Sequence, residues 1–259
     1  MIKTEKDRLL KVNSILVSQP EPTSDNSPYQ ILKDKYNLKV DFRPFIQIEP
    51  VNAKEFRQQK VDVLSHTAVI FTSRNAVDHF FRLCKETRLE IPSEMKYFCV
   101  SDQTSYYLQK YITIRKRKIF TGSRTAADLI EILKKHKDEK YIFPCSNIRK
   151  NDIPDFLKKN NFKFTEVNIY RTVASDLSDL ADVNYDIIAF FSPSGISSLF
   201  ANFPDFQQNN TRIAAFGPTT ASAVREAGLI LDIEAPLPNA PSMTGALEFY
   251  IRKANRIDK

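Results

Sequence analysis

Two stretches of the chain decide the fold, FTSRNAV at residues 71–77 and FFSPSGI at residues 190–196. In each stretch a hydroxyl residue follows an apolar run, and the residues after it can begin a helix. The matching serines place the two stretches at an offset of 119 residues (192 minus 73). A buried strand that passes through such a loop into a helix is typical of α/β sheets. The pair therefore indicates an α/β unit that occurs twice.

A second pair of stretches has nearly the same spacing. VSDQTS at residues 100–105 matches FGPTTA at residues 216–221, an offset of 116 (220 minus 104). The next strand–helix–strand segment, residues 141–170, has its match at residues 15–40, near the start of the chain. The repeat is therefore shifted along the chain, and its two copies need not be two halves of the sequence.

The shifted repeat predicts two lobes. One lobe combines residues 11–42 with residues 174–259, and the other is continuous over residues 44–170. The chain would cross between the lobes near residues 42–49 and again near residues 167–173, so two strands would form the connector. Open α/β sheets bind ligands at the carboxyl ends of their strands, which predicts an active-site cleft between the lobes.

Apolar runs and amphipathic stretches alternate along the whole chain, which favours an α/β fold with a parallel sheet flanked by helices in each lobe. The predicted strands cover residues 15–17, 68–71, 97–100, 118–120, 141–143, 186–191, 212–216 and 231–233. The predicted helices cover residues 75–84, 125–135, 218–227 and 243–254.

The composition limits the classes of function. The chain has 259 residues, of which 42% are hydrophobic, so it can bury a core without disulfides or a structural metal. Its formal net charge of +7 favours an anionic partner. The 5 glycines form neither GxGxxG nor GxxxxGK[ST], which argues against a dinucleotide or nucleoside triphosphate enzyme.

Cysteines and histidines are few. Cys84, Cys99 and Cys145 form no CxxC pair, which argues against a zinc knuckle or a redox dithiol. Cys99 and Cys145 lie in apolar runs and are predicted to be buried, reduced thiols. His79 is interpreted as a helix-surface residue and not as a ligand. We therefore expect no metal site built from cysteines or histidines.

The amino-terminal residues 1–11 are charged and contain no apolar stretch of signal-peptide length. No segment approaches the roughly 20 apolar residues that are needed to span a bilayer. The sequence predicts a cytoplasmic protein without a membrane partner.

Six loops place small hydroxyl residues directly after a strand, where a helix would begin. These residues include Ser18, Ser73, Ser101, Ser146, Ser192 and Thr220. Serine and threonine are common N-caps, so capping explains any one loop taken alone. Together the loops would present free backbone N–H groups and positive helix ends to carboxylates or phosphates. Each charge-assisted bond contributes about 1.5–3 kcal/mol, so a polyanion that reaches several loops would bind well.

These loops, together with IYRT at residues 169–172, resemble the motifs of the uroporphyrinogen-III synthase family in order and spacing from about residue 15 to residue 251. The resemblance implies two α/β lobes, a two-stranded connector and an active-site cleft between the lobes. It implies hydroxymethylbilane, a linear tetrapyrrole with acetate and propionate side chains, as the substrate. The implied reaction is cyclisation with loss of water and inversion of the last pyrrole ring, which gives uroporphyrinogen III in tetrapyrrole (haem) biosynthesis. Such a lyase uses no cofactor.

The resemblance assigns Tyr170 as the catalytic residue that assists loss of the hydroxyl. The loops and the resemblance together predict substrate-binding positions at Thr72, Ser73, Asn75, Ser101, Thr104, Ser146, Ser192, Ser194, Gly195, Gly217, Thr219, Thr220 and Gln19.

The sequence departs from the family pattern at two of these positions. Gln19 precedes Pro20 where the family commonly has arginine, and Ser101 stands where glycine is frequent. Glutamine offers a carboxylate only neutral hydrogen bonds. Three nearby cations are candidates to replace the missing charge, namely Arg74, Arg149 and Arg171.

Two other functions fit parts of the sequence. Gln19 and the scarcity of obvious catalytic groups would suit a synthase-like module that binds tetrapyrroles or has a regulatory role. The basic runs at residues 115–118 and 134–137 would suit nucleic-acid binding, but solvated surfaces are the better interpretation, and we expect no nucleic-acid partner. We expect a monomer that binds hydroxymethylbilane, with the upstream deaminase as a candidate partner.

Overall fold

The computed structural model describes residues 8–24, 26–113, 115–123, 125–181 and 183–256. Most of the charged amino-terminal segment, residues 1–11, and residues 257–259 of the predicted lobe 174–259, lie outside the described residues.

Within those ranges the chain forms eleven strands and nine helices. The strands are β1 (Ser14–Val17), β2 (Lys39–Phe42), β3 (Ile46–Pro50), β4 (Ala68–Phe71), β5 (Lys96–Cys99), β6 (Ile119–Thr121), β7 (Lys140–Ser146), β8 (Lys163–Ala174), β9 (Ile187–Phe190), β10 (Arg212–Phe216) and β11 (Leu231–Ala235). The helices are α1 (Pro28–Tyr36), α2 (Ala53–Gln58), α3 (Arg74–Thr87), α4 (Asp102–Tyr107), α5 (Ala126–Leu133), α6 (Asp152–Lys159), α7 (Pro193–Asn202), α8 (Pro218–Glu226) and α9 (Met243–Ala254).

The chain divides into two compact units. We call Met1–Gln47 with Val173–Lys259 unit 1, and Ile48–Thr172 unit 2. Unit 1 contains a parallel sheet of order β11-β10-β9-β1-β2. Ile15 and Val17 of β1 pack in the core layer that includes α1 and α9, while Leu16 packs in the layer that includes α7 and α8. Helices therefore cover both faces of this sheet.

Unit 2 contains the sheet of order β3-β8-β7-β4-β5-β6, in which β8, β7, β4, β5 and β6 are parallel. Val69 and Phe71 of β4 pack with α2 and α3, while Ala68 and Ile70 pack with α5 and α6. Every residue of β4 is buried, which explains its unbroken apolar sequence.

The two sheets have the same strand order after a shift along the chain. The order β2-β1-β9-β10-β11 in unit 1 corresponds to β8-β7-β4-β5-β6 in unit 2. The predicted α/β fold with two parallel sheets flanked by helices is confirmed. The chain passes from one unit to the other within β3 and within β8, which are neighbours in the second sheet.

The predicted elements differ from the observed ones mainly at their ends. The strand predicted at residues 118–120 begins one residue later, because Lys118 ends a short 3-10 turn. β7 is longer than its apolar sequence indicates, and β3 and α2 have no counterpart among the predicted elements. Among the described residues, no helix is long and apolar enough to cross a membrane.

Candidate active site

The carboxyl edge of the unit 2 sheet brings together several of the predicted site residues. Ser73 follows β4 and Ser101 follows β5, while Ser146 ends β7 and Tyr170 lies in β8. Ser146 and Tyr170 are partners in the pairing of β7 with β8. Since parallel strands end at the same edge, the serines and Tyr170 lie on one side of the unit.

Tyr170 is buried, with 9% of its surface exposed, and packs in the core layer that includes α3. Its hydroxyl lies 3.5 Å from the Ser73 hydroxyl, and either oxygen can donate. Burial raises the pKa of the Tyr170 phenol, although the Ser73 bond acts in the opposite direction. The phenol is therefore protonated at neutral pH and can donate a proton or a hydrogen bond.

His79 lies against Tyr170, which corrects its interpretation as a helix-surface residue. Its half-buried imidazole stacks on the phenol ring, with centroids 5.1 Å apart and planes 25° apart. Its Nδ1 is buried and has no hydrogen-bond partner among the described residues. Burial, and then the positive charge of Arg82, lower the His79 pKa, so the imidazole is neutral at pH 7. The sequence gives no signal for this contact, because only the tertiary fold joins α3 to β8.

The loops after β4 and β5 have serine N-caps. The Ser73 hydroxyl accepts a bond from the Ala76 backbone N–H at 3.1 Å, and the Ser101 hydroxyl accepts one from Thr104 at 3.4 Å. Thr104 is 4% exposed, and its hydroxyl lies 3.2 Å from that of Ser101. Thr72 is half-buried and Asn75 is exposed. The hydroxyls of Ser73 and Ser101 therefore already bond to the start of a helix.

Two of the six loops do not begin a helix, which corrects the prediction for Ser146 and for the loop of Ser18 and Gln19. Helix α6 begins only at Asp152, and helix α1 begins at Pro28 after the N-cap Ser27. Prolines at positions 20 and 22 disfavour an earlier helix in the second loop. Gln19 is exposed there.

Ser146 instead joins two neighbouring segments of unit 2. Its hydroxyl donates to Asn147 Oδ1 at 2.9 Å and accepts from the Ile148 N–H at 3.2 Å. It also lies 3.3 Å from the Thr172 hydroxyl. With 3% of its surface exposed, Ser146 fixes the loop after β7 beside the end of β8.

In unit 1, the starts of α7 and α8 carry the remaining predicted residues. Ser192 is the N-cap residue of α7, but its side chain makes no capping bond among the described residues. Ser194 is half-buried, and Gly195 is buried, where a Cβ would lie 3.1 Å from the Phe190 ring. Gly195 therefore allows α7 to begin close to β9.

Gly217 is the N-cap residue of α8, with φ +85° and ψ 154°, a conformation that favours glycine. The prediction that Thr220 caps this helix is wrong, because Thr220 is the third helical residue and is 1% exposed. Thr219 is exposed. Neither α7 nor α8 has a side-chain cap within the described residues, so their first N–H groups can bind an anion.

The three candidate cations differ in their surroundings. Arg149 pairs with Glu166, and Arg171 pairs with Glu55 at 2.5 Å. Arg74 is exposed, with its guanidinium 5.6 Å from the ring centroid of Tyr107. Two of the three are therefore neutralised within unit 2. Among the described residues, no group of three or more His, Cys, Asp or Glu side chains is arranged so that it could hold a metal ion.

The fold and the loops together define a class of protein. It has two α/β units whose parallel sheets share one strand order after a shift along the chain, with polar loops at the carboxyl ends of the strands. Comparison with known proteins identifies the family. The family model described as uroporphyrinogen-III synthase HemD matches residues 30–245 of this chain. The chain belongs to the uroporphyrinogen-III synthase family.

Individual relatives agree with the family match. The uroporphyrinogen-III synthase of Chlorobaculum parvum is 24% identical over 251 residues, which cover 91% of this chain and 98% of that protein. The crystal structure of uroporphyrinogen-III synthetase from Helicobacter pylori has a TM-score of 0.60 at 17% identity, with 92% of this chain and 97% of that one covered. A mutant uroporphyrinogen III synthase from Thermus thermophilus has a TM-score of 0.58 at 14% identity, with 94% and 99% covered. The two structures show the shared fold.

Proposed function

We propose that this protein is a uroporphyrinogen-III synthase, a lyase that needs no cofactor. It cyclises hydroxymethylbilane with loss of water and inversion of the last pyrrole ring, and so forms uroporphyrinogen III in haem biosynthesis. The observation that carries this proposal is the family match, which extends over residues 30–245 and includes the predicted site loops of both units except the loop of Gln19.

Unit 1 supplies binding groups that suit this substrate. The bilane carries many carboxylates, and the uncapped starts of α7 and α8 offer N–H groups and positive helix ends. Gly217 brings the backbone to the surface without a side chain, since nothing lies within 4 Å of the position that a Cβ would take. The chain's formal charge of +7 also favours a polyanion.

Unit 2 supplies the reacting group. The Tyr170 phenol donates its proton to the leaving hydroxyl, while the pyrrole nitrogen lone pair expels it, so that the C–O bond breaks and water departs. The carbocationic end that remains is attacked by the substituted carbon of the last pyrrole, which gives a spiro intermediate. That ring inverts, the macrocycle closes, and a proton released from the product restores the phenol. Burial raises the pKa of Tyr170 above its ordinary value, so the phenol is protonated at pH 7 and has a proton to donate.

The predicted lobes, residues 11–42 with 174–259 and residues 44–170, and the cleft between them remain predictions of this proposal. So do a monomeric state, a cytoplasmic location and delivery of the bilane by the upstream deaminase. The alternative function, a synthase-like module that binds tetrapyrroles or has a regulatory role, is one outcome of the test.

The test is an analysis of the product isomers. Hydroxymethylbilane generated by a deaminase is mixed with the purified protein, oxidised to porphyrins and separated chromatographically. We expect type III product with the protein present, and the spontaneous type I product without it. Type I alone in both samples, with the bilane nevertheless bound, would indicate the binding module and contradict the proposed activity.

A further inference from the structure

His79, Tyr170 and Ser73 form a cluster within unit 2 that the proposed reaction uses only in part. Among the residues that the structure describes, the phenol hydroxyl has one polar contact, the 3.5 Å approach to Ser73, which is at the outer limit of a hydrogen bond. Such a contact is too weak to fix the direction of the hydroxyl. The ring of Tyr170 must therefore be oriented by what packs against it.

The imidazole of His79 is the ring that stacks on Tyr170, at 5.1 Å and 25°. Offset stacking at this distance restricts the plane of both rings. Because α3 begins at the N-cap Ser73 and also carries His79, one helix holds both contacts of the phenol. The hydroxyl contact and the ring contact are thereby set by the same element.

His66, a buried histidine of unit 2, shows how a structural imidazole is bound. In His66, Nδ1 lies 2.7 Å from the Asp62 carbonyl and Nε2 lies 2.9 Å from the Thr165 hydroxyl. His79 Nδ1 is also buried but has no partner among the described residues. Unpaired buried polar atoms are rare in folded proteins and destabilise them. Stacking, and not hydrogen bonding through Nδ1, therefore holds the His79 ring.

We propose that His79 is a positioning residue, whose imidazole holds the Tyr170 phenol in the orientation from which it donates to the leaving group. This inference rests on the proposed function of Tyr170. The imidazole acts through its aromatic face, so another aromatic ring can replace it and an aliphatic side chain cannot.

The test compares three substitutions of His79 in the isomer assay. We expect His79→Phe to retain the wild-type kcat for type III formation within about twofold. We expect His79→Ala and His79→Leu to lower kcat by about 2- to 10-fold with KM unchanged, the range that an aromatic contact supports. His79→Leu fills the volume without a ring, so it remains informative if the alanine variant does not fold.

A double-mutant cycle separates positioning from general stability. In a Tyr170→Phe background no hydroxyl remains to be oriented, so His79→Leu should then have no further effect on kcat. Equal losses of kcat from His79→Leu in the wild-type and the Tyr170→Phe backgrounds would overturn the proposal. So would a kcat for His79→Phe as low as that for His79→Leu.

A control and a reference complete the design. His136 is the matched control, because it too packs on an aromatic ring, Phe120, with centroids 4.3 Å apart, and His136→Leu should leave kcat unchanged. The product that the wild-type protein forms shows whether the proposed function itself holds. If wild type forms only type I product, the proposed function fails, whereas type III formation with an inert His79 refutes the positioning role alone.

Discussion

The two units share one strand order, yet two pairs of equivalent helix starts are built differently. In unit 2, Ser73 and Ser101 accept hydrogen bonds from the backbones of α3 and α4. At the equivalent places in unit 1, Ser192 makes no such bond and Gly217 has no hydroxyl to make one. We infer that one fold uses its helix starts in two ways. Side chains cap α3 and α4 of unit 2, whereas backbone N–H groups at the starts of α7 and α8 of unit 1 remain for a ligand.

The units also differ in reactive side chains. All histidines and cysteines of the chain lie in unit 2, at positions 66, 79, 84, 99, 136 and 145. The cysteines are buried, and burial raises the pKa of Cys84 and Cys99 to about 12 and that of Cys145 to about 11. These thiols are protonated and unreactive at neutral pH. The difference teaches that a repeated fold does not repeat its side chains, and Tyr170, which we propose as the proton donor, lies in the unit that carries the histidines.

The largest expected effect is on activity, and it distinguishes Tyr170 of unit 2 from Tyr185 of unit 1. Tyr170→Phe removes the proton donor and keeps the ring, so type III formation should fall by about 10²-fold, the lower end for general acids. Tyr185 of unit 1 is the matched control, since it is 8% exposed and its hydroxyl donates to Asp41 at 2.7 Å. Tyr185→Phe should lower stability but not activity. Wild-type rates for Tyr170→Phe would remove Tyr170 from the mechanism.

A smaller effect concerns the equivalent positions 217 and 101. Gly217 has φ +85°, whereas Ser101 has φ −150°, which any residue adopts. Gly217→Ser should destabilise the protein by about 1–3 kcal/mol through backbone strain. Ser101→Gly should cost only a few tenths of a kcal/mol, as other N-cap glycines do. Urea unfolding measures both, and equal losses would show that the two helix starts are built alike.

The capping serines offer a third comparison, between positions 73 and 192. Ser73→Ala should cost about 0.5–2 kcal/mol, because it removes the cap of α3. Ser192→Ala should change stability by less than about 0.5 kcal/mol, because its hydroxyl caps nothing, while raising the KM for the bilane. If Ser192→Ala instead destabilised the protein without a change in KM, Ser192 would be a structural residue.

The smallest expected effect is the dependence of the free energy of unfolding on pH. Burial lowers the pKa of His66, His79 and His136, so folding favours their neutral forms. The stability that they contribute is complete above the unfolded pKa of about 6.5 and is lost as the pH falls below it. Hydrogen exchange at pH 7.5 and 5.5 should therefore show lower protection in unit 2 and little change in unit 1. A uniform decrease across both units would contradict this assignment.

Much of the fold could be predicted from the sequence, because buried strands such as β4 are unbroken apolar runs and their loops repeat. The shifted match of residues 15–40 with residues 141–170 has its counterpart in the shared strand order. The N-cap at Ser73 was also predictable, since a serine directly after a strand commonly begins a helix.

The rest of the candidate site depends on tertiary contacts that local sequence does not record. The stacking of His79 on Tyr170 joins a helix to a distant strand, and the pairing of Arg171 with Glu55 likewise joins distant segments. At Gln19 and Ser146 a hydroxyl-rich loop looks like a helix start, but several residues intervene before the helix begins. Loop length is the feature that local patterns predict least well.

Turnover tests the central claim most directly. With bilane in large excess over the protein, the number of type III molecules formed per protein molecule distinguishes an enzyme from a binding module. The proposed function predicts many type III molecules for each protein molecule, with an initial rate proportional to protein concentration. At most one type III molecule per protein molecule, with the remaining bilane closing to type I, would contradict it.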